Sequence, residues 1–140
     1  MKKIVAVLVV SAFLAGCTGC AAGPYKAIRS GPDNIEISSS VVVLDKRMAA
    51  QFGSRKVVVM GERKSRTPDG RLELQCDIRN MKNEFLMMQI QTVFRNAAGL
   101  VVEETAWELI EVPAFVTITY GNAASTPEAS EYTIRIRSEK

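Results

Sequence analysis

The chain has 140 residues, with 18 Lys and Arg against 15 Asp and Glu, and it contains no histidine. That length allows one single-core domain, and so even a charge balance excludes a strongly basic nucleic-acid binder. The missing histidine removes the usual general base at neutral pH, the Ser-His and Cys-His nucleophile pairs, and most zinc sites.

Lys2 and Lys3 give a positive N-terminus, followed at residues 4–14 by an apolar run broken only by Ser11. This is the length of a signal-peptide h-region and is too short to span a bilayer. It runs into Leu14-Ala15-Gly16-Cys17, which resembles the bacterial lipobox: an aliphatic residue, two small residues that fit the signal peptidase, then the cysteine that is acylated. The resemblance implies that residues 1–16 are removed as a signal peptide and that Cys17 carries a diacylglycerol and an N-acyl chain. An ordinary secretory signal before a coincidental cysteine is the alternative. It is disfavoured because the h-region and the small-residue site agree in register. Cys20 follows Cys17-Thr18-Gly19 and is a weaker candidate. Removing Lys2 and Lys3 leaves 18 − 2 = 16 basic against 15 acidic residues. At ~0.8 kcal/mol per buried methylene, three acyl chains would anchor the protein in effect permanently. Thr18 stands where lipoproteins retained at the inner membrane typically carry Asp, which favours an outer-membrane location facing the periplasm.

Residues 17–40 are rich in small and turn residues, including Gly19, Gly23-Pro24, Gly31-Pro32 and Ser38-Ser39-Ser40. They read as a lipidated N-terminus and flexible tether, with Ile35 and Ile37 alternating as if a strand began there. Residues 41–140 read as the folded domain. Val41 to Leu44 is a first short apolar segment. Thr67-Pro68-Asp69-Gly70 is a turn in which Pro presets φ and Gly accepts a positive one, so residues 57–64 are expected to pair back on the next strand. In that strand Leu72, Leu74, Cys76 and Ile78 alternate with Arg71, Glu73, Gln75, Asp77 and Arg79, one buried face and one wet. Leu86, Met88, Ile90, Thr92 and Phe94 share the next face, and Asn96-Ala97-Ala98-Gly99 turns the chain into Leu100 to Val102. A short strand near Trp107 to Ile110, one through Val116, Ile118 and Tyr120, and a last one through Tyr132, Ile134 and Ile136 complete the set. Ser125-Thr126-Pro127-Glu128 has the N-cap and first-turn Pro of a single helical turn. The expectation is all-β: an immunoglobulin-like antiparallel β-sandwich of about seven strands.

Several of these residues resemble the YcfL-like lipoproteins, a family of small envelope proteins without an assigned biochemical function. The carriers are Asn80 after the alternating strand, the strand from Ile90 to Phe94 running to a turn at Gly99, Trp107, Pro113 before the Val116 strand, and the Ala-rich loop before the last strand. Val93 and Phe94 are followed by Arg95 and Asn96, where the family typically has a more aromatic strand and Asp before the Gly turn. The resemblance implies a β-sandwich lipoprotein of the envelope and brings no catalytic residues.

Cys76 sits between Leu74 and Ile78 on an apolar face, as a buried thiol does, although a disulfide to Cys20 would suit an oxidising compartment. Glu103, Glu104, Glu108 and Glu111 offer carboxylates for glycan cleavage or a divalent cation, but strand neighbours point to opposite faces, which favours a solvated surface. Met81, Phe85, Met87 and Met88 read as core or as an adaptable binding surface, and Trp107 as a core anchor or a sugar platform. Charge segregates: Arg55, Lys56, Arg63, Lys64, Arg66 and Arg71 crowd the first hairpin, while no Lys or Arg falls between Arg95 and Arg135. That hairpin is a candidate partner surface for anionic lipid headgroups, cell-wall polymer or an acidic protein, with a plain solvated face as the alternative. The expected function is a non-enzymatic, lipid-anchored interaction domain needing no further cofactor and no nucleic acid. A glycan enzyme or its activator, and a carrier of a small apolar ligand, are the alternatives.

Overall fold

The computed structural model describes residues 23–30, 35–49 and 56–139. Its strands are β1 (Tyr25–Ser30), β2 (Ile35–Val43), β3 (Val57–Arg66), β4 (Leu72–Asn80), β5 (Leu86–Arg95), β6 (Val101–Glu104), β7 (Glu108–Val112), β8 (Thr117–Ala123) and β9 (Glu131–Ser138), with one helical turn, α1 (Lys46–Ala49). The described residues are therefore nearly all β, with nine strands where about seven were expected. The difference lies at the start. Part of the expected tether is strand: Tyr25–Ser30, where a register shift between Lys26 and Ile28 interrupts the alternation that would have marked it, and residues 35–40, which continue the Val41 segment back to the alternating Ile35 and Ile37. Residues 125–128 form a turn and no helix.

Hydrogen bonds run along one path, β6-β5-β9-β2-β1-β3-β4-β8, with β7 pairing β5 beyond β6. Most pairs are antiparallel, but β1 runs parallel to β3 and β2 parallel to β9, a departure from the wholly antiparallel expectation. The path doubles over into a sandwich. Thr92 Oγ1 of β5 lies 2.9 Å from the Tyr120 hydroxyl of β8, joining strands far apart along the path. Between the layers lie Phe94, Met88, Ile90, Ile134 and Ile136 against Leu72, Leu74, Cys76 and Ile78, all buried as their alternation requires. Each such side chain contributes about 1.5–3 kcal/mol on leaving water.

Both sequence-predicted turns are present. Thr67 N donates to Arg71 O and Asn96 N donates to Leu100 O, each at 2.9 Å, and Gly70 and Gly99 take φ of 85° and 81°. This is the three-residue hairpin geometry, in which the third loop residue must be left-handed.

The strand registers define two ends. Tyr25 pairs Val43, Val43 pairs Ile136, Met88 pairs Ser138, Leu86 pairs Val112, Val57 pairs Asn80 and Arg79 pairs Thr117. The chain thus enters the sheet at the end that also holds residues 81–85 and 113–116. The opposite, far end holds the turns 67–70 and 96–99 and the stretch 124–130. Ten residues of β3 separate them, about 33 Å at the rise of an extended strand.

Candidate functional site

Within β3, in its entry-end half, the β3–β4 register slips between Val59 and Gly61, leaving Met60 as an extra residue. Before the slip Val57 and Val59 face the core. After it Glu62, Lys64 and Arg66 stand opposite the buried Cys76, Leu74 and Leu72 and so share the inward face. Lys64 Nζ pairs with Glu131 at 2.9 Å, and the Tyr132 hydroxyl donates to Glu62 Oε2 at 3.0 Å. Arg66 donates to Gly70 O at 2.6 Å and to Ala129 O at 3.1 Å, fastening the turn to the following loop. On the outer face Arg63 lies 3.8 Å from Asp77, and Arg71 pairs with Asp69 at 2.6 Å. Thr67 Oγ1 also donates to Asp69 at 2.5 Å; that bond, with Arg71 beside it, holds the Asp69 carboxyl below its ordinary value.

The structure therefore brings Arg63, Lys64, Arg66 and Arg71 together in the far half of the hairpin, each already engaged by a carboxylate or by carbonyls. It does not bring Lys56 to them. Lys56 precedes β3 at the entry end, where its carbonyl accepts Met81 N at 2.9 Å. Arg55 lies outside the described residues, as do Leu14, Ala15, Gly16, Cys17 and Cys20.

The loop 122–130 is bracketed by both hairpins. Ser125 donates its N–H and its hydroxyl to the two oxygens of Glu103, each at 2.7 Å, while Ala124 N donates to Leu72 O and Ser130 N to Arg95 O, each at 2.8 Å. Three loops thus make one continuous far-end surface, with Leu100 and Val101 exposed beside them. Glu104 instead pairs with Arg135 at 3.3 Å, so Glu103 and Glu104 serve opposite sides of β6 and do not converge. Glu108 and Glu111 stand exposed on β7. No group of three or more Cys, Asp or Glu among the described residues is placed to hold a metal ion.

The entry end carries Met81 and Phe85, which the sequence left between core and binding surface, and a network around Asn80 that the sequence did not reveal. Asn80 is fully buried, and its amide Nδ2 lies 2.8 Å from Glu84 O, 3.0 Å from Val112 O and 3.1 Å from Pro113 O, while its Oδ1 accepts Lys82 N at 2.8 Å. Asn80 N donates to Val116 O and Phe115 N to Lys82 O. One side chain thereby locks two crossover loops together. Phe115 is held at φ 58°, a left-handed conformation that disfavours a non-glycine residue by about 1–2 kcal/mol. The locked loops expose apolar side chains: Phe85 is 65% accessible, Phe115 54%, and Met81 and Val116 stand beside them. Met88 is buried as a core residue, but Met81 and Phe85 are not; the chain leaves β4 at Asn80 and enters β5 only at Leu86, so both fall in the loop. The signal available in the sequence was Asn80 and Pro113 closing strands, with Met81, Phe85, Phe115 and Val116 following them outside any alternating run.

Cys76 is fully buried on β4. Trp107 is no core anchor: it is half-buried, its ring covered by the Arg137 guanidinium at 4.0 Å, a cation–π contact.

The fold and its two loop-bearing ends define a small all-β sandwich domain. No protein-family model and no curated protein matches the chain. Among solved structures it is similar to Campylobacter jejuni Cj0090, with a TM-score of 0.57 and 13% identity over 73% of this chain and 100% of that one. It is also similar to a DUF1425 family member from a Shewanella species, with a TM-score of 0.57 and 16% identity over 76% of this chain and 97% of that one. At such identities the likeness is one of fold, shared with small bacterial domains of unknown function.

Proposed function

We propose that the chain is a lipid-anchored lipoprotein of the bacterial envelope, similar to the YcfL-like proteins, whose sandwich is a non-enzymatic interaction domain. Residues 1–16 are removed after Leu14-Ala15-Gly16, and a diacylglycerol and an N-acyl chain on Cys17 hold it to the membrane; no other cofactor enters the reading. Thr18 favours the outer membrane, facing the periplasm. The observation that carries the proposal is the polarity of the domain. β1 begins at Tyr25, eight residues after Cys17, at one end of the sandwich, and the three-loop surface lies about 33 Å away at the other. An anchor at the entry end leaves the far end free to meet a partner. The hairpin bearing Arg63, Lys64, Arg66 and Arg71 then points away from the anchoring headgroups, so its contact is an envelope protein or cell-wall component.

The test is in-cell photo-crosslinking from Asp69 and Thr126 at the far end, with Glu111 near the entry end as the reference position. Discrete products from the far end that Glu111 does not give are the expected result. Equal yields from all three positions would sink the assignment of the far end as the partner surface.

A further inference from the structure

The exposed apolar side chains are unevenly placed. Leu44, Met81, Phe85, Phe115 and Val116 lie at the entry end, Leu100 and Val101 at the far end, and Met60 and Leu109 singly on β3 and β7 between them. The entry-end group is also the one held rigid, because Asn80 ties residues 81–85 to residues 113–116 through carbonyl contacts of 2.8 to 3.1 Å. Phe115 is held outward in a backbone conformation that favours glycine, as is expected where surrounding structure over-determines a residue for use. Exposed apolar side chains gathered on two adjoining loops are of the kind that marks an interaction site.

We infer that this end docks on the lipid bilayer that holds Cys17, with Phe85, Phe115, Met81 and Val116 entering the interface. The inference rests on the lipid-anchor reading and deepens it. What selects a bilayer as the occupant is the chain between anchor and fold. From Cys17 to Tyr25 there are eight residues, which reach no more than about 28 Å even fully extended, and they join the sandwich at the end where the apolar group lies. Phe85 and Phe115 supply apolar rings of the kind that sink into the boundary between headgroups and acyl chains. Lys56 and Lys82 are the cations of the adjoining segments, available to anionic headgroups, and Glu84, Glu111 and Asp45 are the acids at this end. Docking this way stands the strands roughly along the membrane normal and turns the far-end loops toward the periplasm.

The test uses the full lipidated protein, made in a host that processes lipoproteins and reconstituted into vesicles of phosphatidylethanolamine and phosphatidylglycerol. Single-Trp reporters Phe85→Trp, Phe115→Trp and Leu100→Trp are placed in a Trp107→Phe background, and intact mass is read on each preparation. With Cys17 acylated, emission from Phe85→Trp and Phe115→Trp is expected to shift to the blue and to be quenched by brominated acyl chains several-fold more than that from Leu100→Trp. Acylated protein in which all three reporters are quenched alike overturns the docking and leaves the anchor standing. Protein whose mass shows an unmodified Cys17 overturns the anchor reading and the docking with it.

Discussion

The hydroxyl of Tyr132 on β9 donates to the Glu62 carboxylate on β3 at 3.0 Å, joining the two layers at the rim of the core. Burial of the phenol and the adjacent Glu62 charge push the Tyr132 pKa from 10.0 up to about 12. The unfolded chain releases this proton at the lower value and the folded chain only at the higher. The contribution to stability is therefore complete below pH 10 and is lost as pH climbs toward 12. Phenolate absorbance is expected to show Tyr132 ionising late, near pH 12. Tyr132→Phe should abolish that late step and lower stability by about 1 kcal/mol, measured by urea titration.

Glu62 faces inward only because Met60 is an extra residue in β3. That relationship marks the limit of what alternation reveals. Leu72 to Ile78, Leu86 to Phe94 and Tyr132 to Ile136 keep period two without interruption, so their faces, and the turns at Gly70 and Gly99, were legible in the residues. A bulge reverses the phase of every residue after it, so Glu62, Lys64 and Arg66 read in sequence as part of a solvated charged hairpin, while the register slip turns them toward Tyr132, Glu131 and Ala129. The strand at Tyr25 was hidden for a related reason, since its own register shift falls among Gly and Pro. Met81 and Phe85 stayed undecided between core and surface because alternation says nothing of side chains in loops, and Phe85 sits one residue before a strand in which its neighbours alternate.

Asn80 gives a sharper stability test. Asn80→Ala removes a buried donor that three carbonyls face and the acceptor of Lys82 N. The expected loss is about 3 kcal/mol, because buried groups left unpaired each cost about 1–3 kcal/mol. Asn80→Asp should be worse at neutral pH, setting a carboxylate against carbonyl oxygens, and should partly recover in acid as protonation restores one donor. Chemical denaturation across pH separates the two.

Phe115→Asn removes an exposed ring from a left-handed position that Asn tolerates. Stability is expected to hold or to rise by up to about 1 kcal/mol, while quenching of a Phe85→Trp reporter by brominated acyl chains in the acylated protein falls. A variant that lost stability as well would show that the ring packs against the fold instead of facing outward.

The far-end cations should behave unequally. Lys64→Ala and Arg71→Ala break exposed ion pairs and are expected to change stability by less than about 1 kcal/mol. Arg66→Ala releases the carbonyls of Gly70 and Ala129, so hydrogen exchange in residues 122–130 should quicken while β4 and β5 keep their protection.

The most direct measurement is the intact mass of the protein extracted from the envelope of cells that express the whole chain. The predicted species begins at Cys17 and carries a diacylglycerol and an amide-linked acyl chain. A chain that begins at any other residue, or one that begins at Cys17 with its thiol and amine unmodified, would contradict the lipid anchor on which the orientation of the domain depends.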